Sequence, residues 1–341
     1  MAFTKFMLFA ALFVVGIFSS SVCSARPLTS ASSIVERHEQ WMAQYGRVYK
    51  DAAEKEMRFN IFKKNVEHIE AMNKLNRGYI LGLNAFSDMS NEEFTATHNG
   101  YKRHMKPASS LKTVSFKYEN FTDVPASIDW RSLGAVTPIK NQGQCGCCWA
   151  FSAVASTEGI NEIKSGTLTS LSEQEIVDCD TNGNDQGCNG GTPDGAFTYI
   201  INSGGLTTES NYPFQGTQGT CNSNSFPAAA TLSSYQDVPT NSESSLQQAV
   251  ANQPVSVAID ASGSDFQNYA GGVFTGSCGT NLDHAVTVVG YGTADDGTDY
   301  WIVKNSWGTS WGEQGYIRMQ RGISDPQGLC GIAMDPSYPI A

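Results

Sequence analysis

The chain has 341 residues, with 33 acidic side chains against 22 basic ones and a formal net charge of −11. That length allows two or three compact units. The acid excess sits in one part of the chain. Residues 26–123 carry 15 Lys and Arg against 12 Asp and Glu, a net of +3, while residues 124–341 carry 6 against 21, a net of −15. So acidic a second part excludes nucleic acid and anionic membrane as expected partners.

Phe6 to Phe18 form an apolar run behind Lys5. The run is shorter than the ~20 residues that a membrane-spanning helix needs. Small residues follow, with Cys23 and Ala25 placed for cleavage after Ala25. Residues 1–25 therefore read as a signal peptide, and an uncleaved anchor is disfavoured by length. The expected route is secretory, ending in a vacuole-like or lysosome-like compartment or in the extracellular space. Cys23 leaves with the signal, and eight cysteines remain: Cys145, Cys147, Cys148, Cys179, Cys188, Cys221, Cys278 and Cys330. In an oxidising compartment most of them should pair.

Residues 33–77 read as helices. Ile34, Trp41 and Tyr45 fall near one face. Glu54, Arg58, Phe62, Asn65, Ile69 and Asn73 follow at steps of four and three, one stripe of a long helix. Gly82 to Asp88 alternates like a strand. Residues 99–123 lack periodicity and read as an exposed connection. It contains Asn120-Phe121-Thr122, which makes Asn120 an acceptor for N-linked sugar.

Composition changes at Val124-Pro125. Trp149 to Lys164 reads as a helix ending at Ser165-Gly166. Ser172-Glu173-Gln174-Glu175 reads as a helix entry with a capping box. From about Thr231 the pattern turns to β, with strands expected at Val255 to Ile259, Ala285 to Tyr291, Tyr300 to Lys304 and Tyr316 to Met319. The expected organisation is a signal peptide over 1–25, a prosegment over 26–123 and a mature part over 124–341. The mature part divides into a helical half, 124–230, and a β-rich half, 231–341.

The most informative stretch runs from Asn141 to Phe151, a glycine-hinged loop entering an apolar helix with Cys148 at the entry. A helix N-terminus favours a thiolate over a thiol. His284 and Asn305 lie far downstream, and with Cys148 they form a candidate nucleophilic set. A thiolate–imidazolium pair of Cys148 and His284 would attack a carbonyl, and His284 would then protonate the leaving amine. The Asn305 amide oxygen would orient the imidazole. The Gln142 amide and the Cys148 N–H would hold the oxyanion. If Cys148 stays free, seven cysteines remain, so one more must be spare. A zinc site at Cys145, Cys147 and Cys148 is disfavoured, because no second Cys or His pair accompanies them.

Together these residues resemble a papain-family cysteine protease in preproenzyme form. The helical stripe Glu54-Arg58-Phe62-Asn65-Ile69-Asn73 is similar to the family's interspersed propeptide motif. Gly82, Asn84, Phe86 and Asp88 resemble its second propeptide motif. Asn305-Ser306-Trp307-Gly308 resembles its Asn loop, with Trp307 shielding the His–Asn bond. The look is closest to plant vacuolar endopeptidases of the senescence and germination type. The resemblance implies an α+β papain-like fold of two domains, helical left and β-barrel-like right. A cleft lies between them, and a mainly helical inhibitory prodomain precedes them. It implies disulfides Cys145–Cys188, Cys179–Cys221 and Cys278–Cys330, leaving Cys147, where the family usually has Ser or Ala, as the spare thiol.

By the same likeness Gly190, Gly191, Thr192, Pro193, Ala258, Leu282, Asp283, Ala285, Trp307 and Asp335 bind substrate. The pocket for the side chain two residues before the cut would have Asp335 at its floor, so Lys or Arg would enter as well as Leu or Phe. No metal or organic cofactor is implied. The expected partners are protein and peptide substrates, the chain's own propeptide as inhibitor, and cystatin-type inhibitors, with the enzyme a monomer. A prosegment of net +3 facing a mature part of net −15 predicts activation near pH 4–5, where carboxylates titrate. A non-catalytic relative, or a prosegment acting alone as an inhibitor, is disfavoured by the complete catalytic set and the complete mature part.

Overall fold

The computed structural model describes residues 33–102, 115–181, 183 and 185–341. The expected signal peptide lies outside the described residues. The chain divides into two compact units, 1–47 and 48–341. In the first, helix α1 (Ile34–Tyr45) opens on a capping box between Ser33 and Glu36 and stops at Gly46, whose φ is +61°. The Trp41 ring stacks on His38 and meets Tyr45 one turn on.

The second unit begins with the long helix α2 (Ala52–Asn73), capped by the Asp51 carboxylate. The polar members of its stripe fasten the segment that follows. Arg58 donates to the Asp88 carbonyl and to Glu93, and Asn65 donates to the carbonyls of Ser87 and Met89. Asn73 bonds both the N–H and the C=O of Leu81 in strand β1 (Tyr79–Leu81). The strand expected over Gly82 to Asp88 is a turn instead. Asn84 Oδ1 accepts from the Phe86 N–H, and Ser87 Oγ accepts from the Asn84 N–H. Such local side-chain acceptors compete with a strand ladder. Helix α3 (Asn91–His98) then opens on the Ser90–Glu93 capping box.

After strand β2 (Ile128–Asp129) comes the central helix α4 (Cys148–Ser165), stopped by Gly166 in the left-handed region. It packs against α5 (Glu173–Cys179) and α6 (Pro193–Ser203). Only half of the expected capping box forms at α5. Ser172 Oγ accepts from the Glu175 N–H, but the Glu175 carboxylate turns away to the Thr207 N–H and the Tyr199 hydroxyl.

The remaining elements are β3 (Ser234–Asp237), α7 (Glu243–Val250), β4 (Val255–Ile259), α8 (Ser264–Gln267), β5 (Tyr269–Phe274), β6 (His284–Thr293), β7 (Asp299–Lys304), β8 (Tyr316–Gln320) and β9 (Ser337–Ile340). They build one sheet in the order β1-β5-β8-β7-β6-β4-β9-β3, with β2 also on β6. Only the β5–β8 pair is parallel. The fold is the expected mixture of helix and sheet, but the sheet is open rather than barrel-like. Prosegment strand β1 forms one end of the path and β3, paired to β9, forms the other.

One apolar cluster gathers the sheet residues together with Phe86 and Phe94 from the prosegment. A second surrounds α4, α5 and α6 and takes in Ala258, Leu282, Ala285 and Met334 from the β-rich half. Disulfides join Cys145 to Cys188, Cys179 to Cys221 and Cys278 to Cys330, while Cys147 and Cys148 are free and buried. Among the described residues no helix is long and apolar enough to cross a membrane.

Candidate active site

Cys148 is the first residue of α4, and the Cys145–Cys188 bond pins the loop that leads into it. His284 opens β6, and the next residue, Ala285, donates its N–H to Cys148 Sγ at 3.4 Å. Strand and helix thus bring the imidazole and the thiol to one place. His284 Nε2 is 2.8 Å from Asn305 Oδ1, which also accepts from the Ser306 N–H. With Nε2 donating to an oxygen, the proton-free nitrogen of the neutral ring is Nδ1, which is buried without a hydrogen-bond partner. The Trp307 ring stacks on His284 at 4.4 Å. Gln142 is held by Ser306 Oγ on its oxygen, and its amide nitrogen donates to the carbonyls of Cys145 and His98.

That last contact belongs to the prosegment. Residues 99–102, expected as part of an exposed connection, lie across the site together with His98 at the end of α3. The Gly100 carbonyl accepts from the Gly191 N–H, and the Lys102 N–H donates back to the Gly191 carbonyl, a parallel pairing around Tyr101. The Tyr101 N–H donates to the Asp283 carbonyl, and Asn99 Nδ2 donates to the Asp283 carboxylate. Gly100 passes so close to the nucleophile loop that an added Cβ would sit 1.9 Å from the Gly146 carbonyl oxygen. The rest of the expected connection is anchored in part as well, with Phe116 buried and the Tyr118 ring tilted against Tyr338 at 5.3 Å. Asn120 is exposed.

Cover changes the electrostatics. Sequence reasoning expects Cys148 and His284 to hold opposite charges, yet in this covered state both side chains are fully buried. Burial pushes the Cys148 thiol up to about 12, against the N–H groups of Ala285, Gly100 and Trp149, which favour the thiolate. Burial pushes His284 down to about 3, opposed by its bond to Asn305 and reinforced by His98. Both groups are neutral near pH 7, because desolvation outweighs what the helix N-terminus supplies. Burial likewise raises Cys147.

Of the expected substrate residues, Gly191 and Asp283 bond the prosegment backbone, and Thr192, Pro193 and Asp335 line, together with Tyr101, a pocket of about 300 Å3. Ala258, Leu282 and Ala285 are buried in the apolar cluster that holds Cys148. Gly190 lies beside Gly100 and Lys102. Sequence reasoning missed Tyr235 and Ser337 in the pocket, and it missed His98, Gly100 and Tyr101 altogether. The signal available was the end of the helical pattern at His98, after which Asn99 runs on in extended backbone. Among the described residues no group of His, Cys, Asp and Glu could hold a metal ion.

The family description "Papain family cysteine protease" matches residues 124–340, and "Cathepsin propeptide inhibitor domain (I29)" matches residues 38–94. The chain is 54% identical over its full length to the whole of "Senescence-specific cysteine protease SAG39" from Oryza sativa subsp. indica. It is 53% identical to "Senescence-specific cysteine protease SAG12" from Arabidopsis thaliana, over 95% of this chain and 96% of that one. Among solved structures, a recombinant stem bromelain precursor superposes with a TM-score of 0.84 at 50% identity, over 90% of this chain and 98% of that one. The proform of Amb a 11, a ragweed pollen cysteine protease, gives 0.83 at 42% identity, over 90% and 94%.

Proposed function

This chain belongs to the papain family of cysteine proteases and carries the family's propeptide, and from that premise we propose that Cys148, His284, Asn305 and Gln142 form its catalytic set. The observation that carries the reading is the hydrogen bond from His284 to Asn305, in a ring whose other nitrogen is unpartnered and whose neighbour Ala285 touches Cys148 Sγ. Once the prosegment leaves, water returns and the pair separates charge. The Cys148 thiolate attacks the scissile carbonyl carbon, and the oxyanion takes hydrogen bonds from the Gln142 amide and the Cys148 N–H. The C–N bond breaks as His284 gives its proton to the leaving amine, and a thioester remains. His284 then takes a proton from water, the hydroxide attacks the thioester carbonyl, and the C–S bond breaks to release the carboxylate product and the thiol. In the covered state the His98 carbonyl occupies the donor meant for the oxyanion, which supports the reading that the prosegment blocks the step it lies on.

The chain is made as a zymogen. We place the start of the mature enzyme near Val124, the signal peptide over 1–25 and the prosegment over 26–123. Activation is by acid. The route is secretory, to a vacuole-like or lysosome-like compartment or to the extracellular space, with Asn120 the sugar-bearing site. The mature enzyme is a monomer that cystatin-type inhibitors would bind.

The test is acid-shift labelling. The proform, purified at neutral pH and brought to about pH 4.5, within the carboxylate range, is treated with an epoxide that alkylates protease thiolates. Mass spectrometry should find the label on Cys148 only after acid, on a chain starting near Val124. No label on Cys148 at any pH would overturn the assignment.

A further inference from the structure

Beyond the cover at 99–102 the prosegment touches the mature part again, on another face. Residues 116–121 form two successive turns, closed by the Glu119 N–H on the Phe116 carbonyl and by the Phe121 N–H on the Tyr118 carbonyl. Both aromatic side chains of the first turn rest on one ring. Phe116 is buried and meets Tyr338 edge to face at 6.3 Å, and the Tyr118 ring lies 5.3 Å from it. Gln236 bonds the backbone on either side of Phe116. Its Oε1 accepts from the Lys117 N–H at 3.0 Å, and its Nε2 donates to the Ser115 carbonyl at 2.9 Å. The Tyr338 hydroxyl donates to the same Gln236 oxygen. The Tyr118 hydroxyl donates to Gln253 Oε1 at 3.0 Å, and Gln253 Nε2 donates to the Pro339 carbonyl at 2.9 Å. Gln248 Nε2 donates to the Phe121 carbonyl at 3.0 Å.

The groups that grip this turn belong to the mature part, and bonds within the mature part orient them. Tyr338 holds the Gln236 amide, and Pro339 holds the Gln253 amide. Little ordering on the enzyme side therefore opposes binding. Gln236 and Tyr338 are a register pair of β3 and β9, so they share one face of the sheet. Tyr235, Asp237 and Ser337, one step along the same strands, face the other way and line the pocket beside the cleft. An occupant of the Tyr338 face leaves the cleft open. When the turn lifts off, the Tyr338 ring meets water and Gln253 Oε1 loses its phenol donor, and a segment of the same chemistry restores both contacts.

We propose that this face is a second binding site of the mature enzyme, separate from the cleft, for the prosegment's own Phe116-Lys117-Tyr118 turn, so that a cut prosegment stays docked there after residues 99–102 have left the active site. The chemistry recognised is a turn with two aromatic side chains two residues apart, the second carrying a hydroxyl. Binding there goes beyond the catalytic reading above, since it needs neither Cys148 nor His284.

The experiment uses the enzyme released by acid from the full-length chain, with Cys148 alkylated by the epoxide so that the cleft is filled, and a fluorescent peptide of residues 115–122. Its anisotropy should rise saturably, with a Kd on the order of 10–100 μM for a short turn that buries two rings. Tyr118→Phe in the peptide should weaken binding about fivefold, the loss of one neutral hydrogen bond. Phe116→Ala should weaken it about tenfold or more, the loss of one buried ring. The wild-type proform, whose own turn fills the site, should not take the peptide, whereas a proform carrying both Phe116→Ala and Tyr118→Ala should. No saturable binding to the alkylated enzyme, or equal binding of the Phe116→Ala peptide, overturns the proposal. If acid yields no enzyme labelled on Cys148, the catalytic reading falls and the two proforms still decide. Binding to the double variant alone then supports the second site, and binding to neither, or equally to both, overturns it.

Discussion

Cys148 and His284 lose their charges under cover, whereas the half-buried Lys140 and the buried Glu158 keep theirs. Lys140 Nζ lies 2.9 Å from Glu158 Oε1 and 2.8 Å from Glu173 Oε1, and Glu158 also accepts from the Thr137 hydroxyl and the Leu171 N–H. Burial works against ionising Lys140, but the two carboxylates overcome it and hold the lysine above its ordinary value. Burial works against Glu158 too, and Lys140 and Lys304 hold it below the ordinary carboxylate range. Glu173 moves the other way, raised by burial and by the Glu158 charge. Cys148 and His284 have no such counter-charges in the covered state. Lys140 and Glu158 keep their charges because each faces an opposite one, Glu173 must share the same lysine with Glu158 and is raised, and Cys148 and His284 face no opposite charge at all. The zymogen thus combines a charged support with a neutral, silent site.

The sharpest way to break this comparison is to lift the cover without touching Cys148 or His284. Gly100→Ala forces a methyl against the Gly146 carbonyl. Overpacking of this kind costs about 1–3 kcal/mol, so the prosegment should hold roughly 10–100-fold more weakly. The proform should then cleave a peptide at neutral pH, where the wild type does not. A Gly100→Ala proform as inactive as the parent would mean that residues 98–102 are not the block. The second test is the charged support. Glu158→Ala strips Lys140 of one partner and leaves the Thr137 hydroxyl and the Leu171 N–H without their acceptor. Breaking a buried pair in this way costs about 3–5 kcal/mol. Denaturant unfolding of the inactive proform should show a midpoint lowered in proportion, and an unchanged midpoint would mean that the network contributes little.

The smallest effect is the dependence of release on pH. His284 is held at about 3 under cover, against an ordinary value of 6.5. The uncovered state therefore binds a proton more readily, so the cover loses stability as pH falls from about 6.5 towards 3. Asp283 acts in the opposite sense. Burial raises it to about 6 from 3.8, so protonation favours the covered state across that window. The histidine shift is the larger of the two, and the rate of prosegment release, followed by stopped-flow fluorescence, should rise as pH falls below 6.5. A release rate that stays flat from pH 6.5 to 4 would show that the two effects cancel and that control lies in the wider charge attraction between prosegment and enzyme.

Local chemistry was legible in the amino-acid sequence by itself. The stripe on α2, the strands β4 and β6, the stop of α4 at Gly166 and the grouping of Cys148, His284, Asn305 and Gln142 all follow from periodicity, capping and residue type. These depend on near neighbours or on a pattern that the family shares. The turn over 82–88 escaped because its alternation is mimicked by Asn84 and Ser87, whose side chains bond the backbone in place of a sheet. Only the tertiary structure decided that residues 98–102 enter the cleft, since nothing periodic marks a stretch held by backbone pairing to Gly191 and Asp283. It alone brought Tyr101 to Asp335 across 234 positions of chain. It alone decided the protonation of the thiol and the imidazole, because a pKa depends on the water a group has lost, and sequence does not say what lies on top.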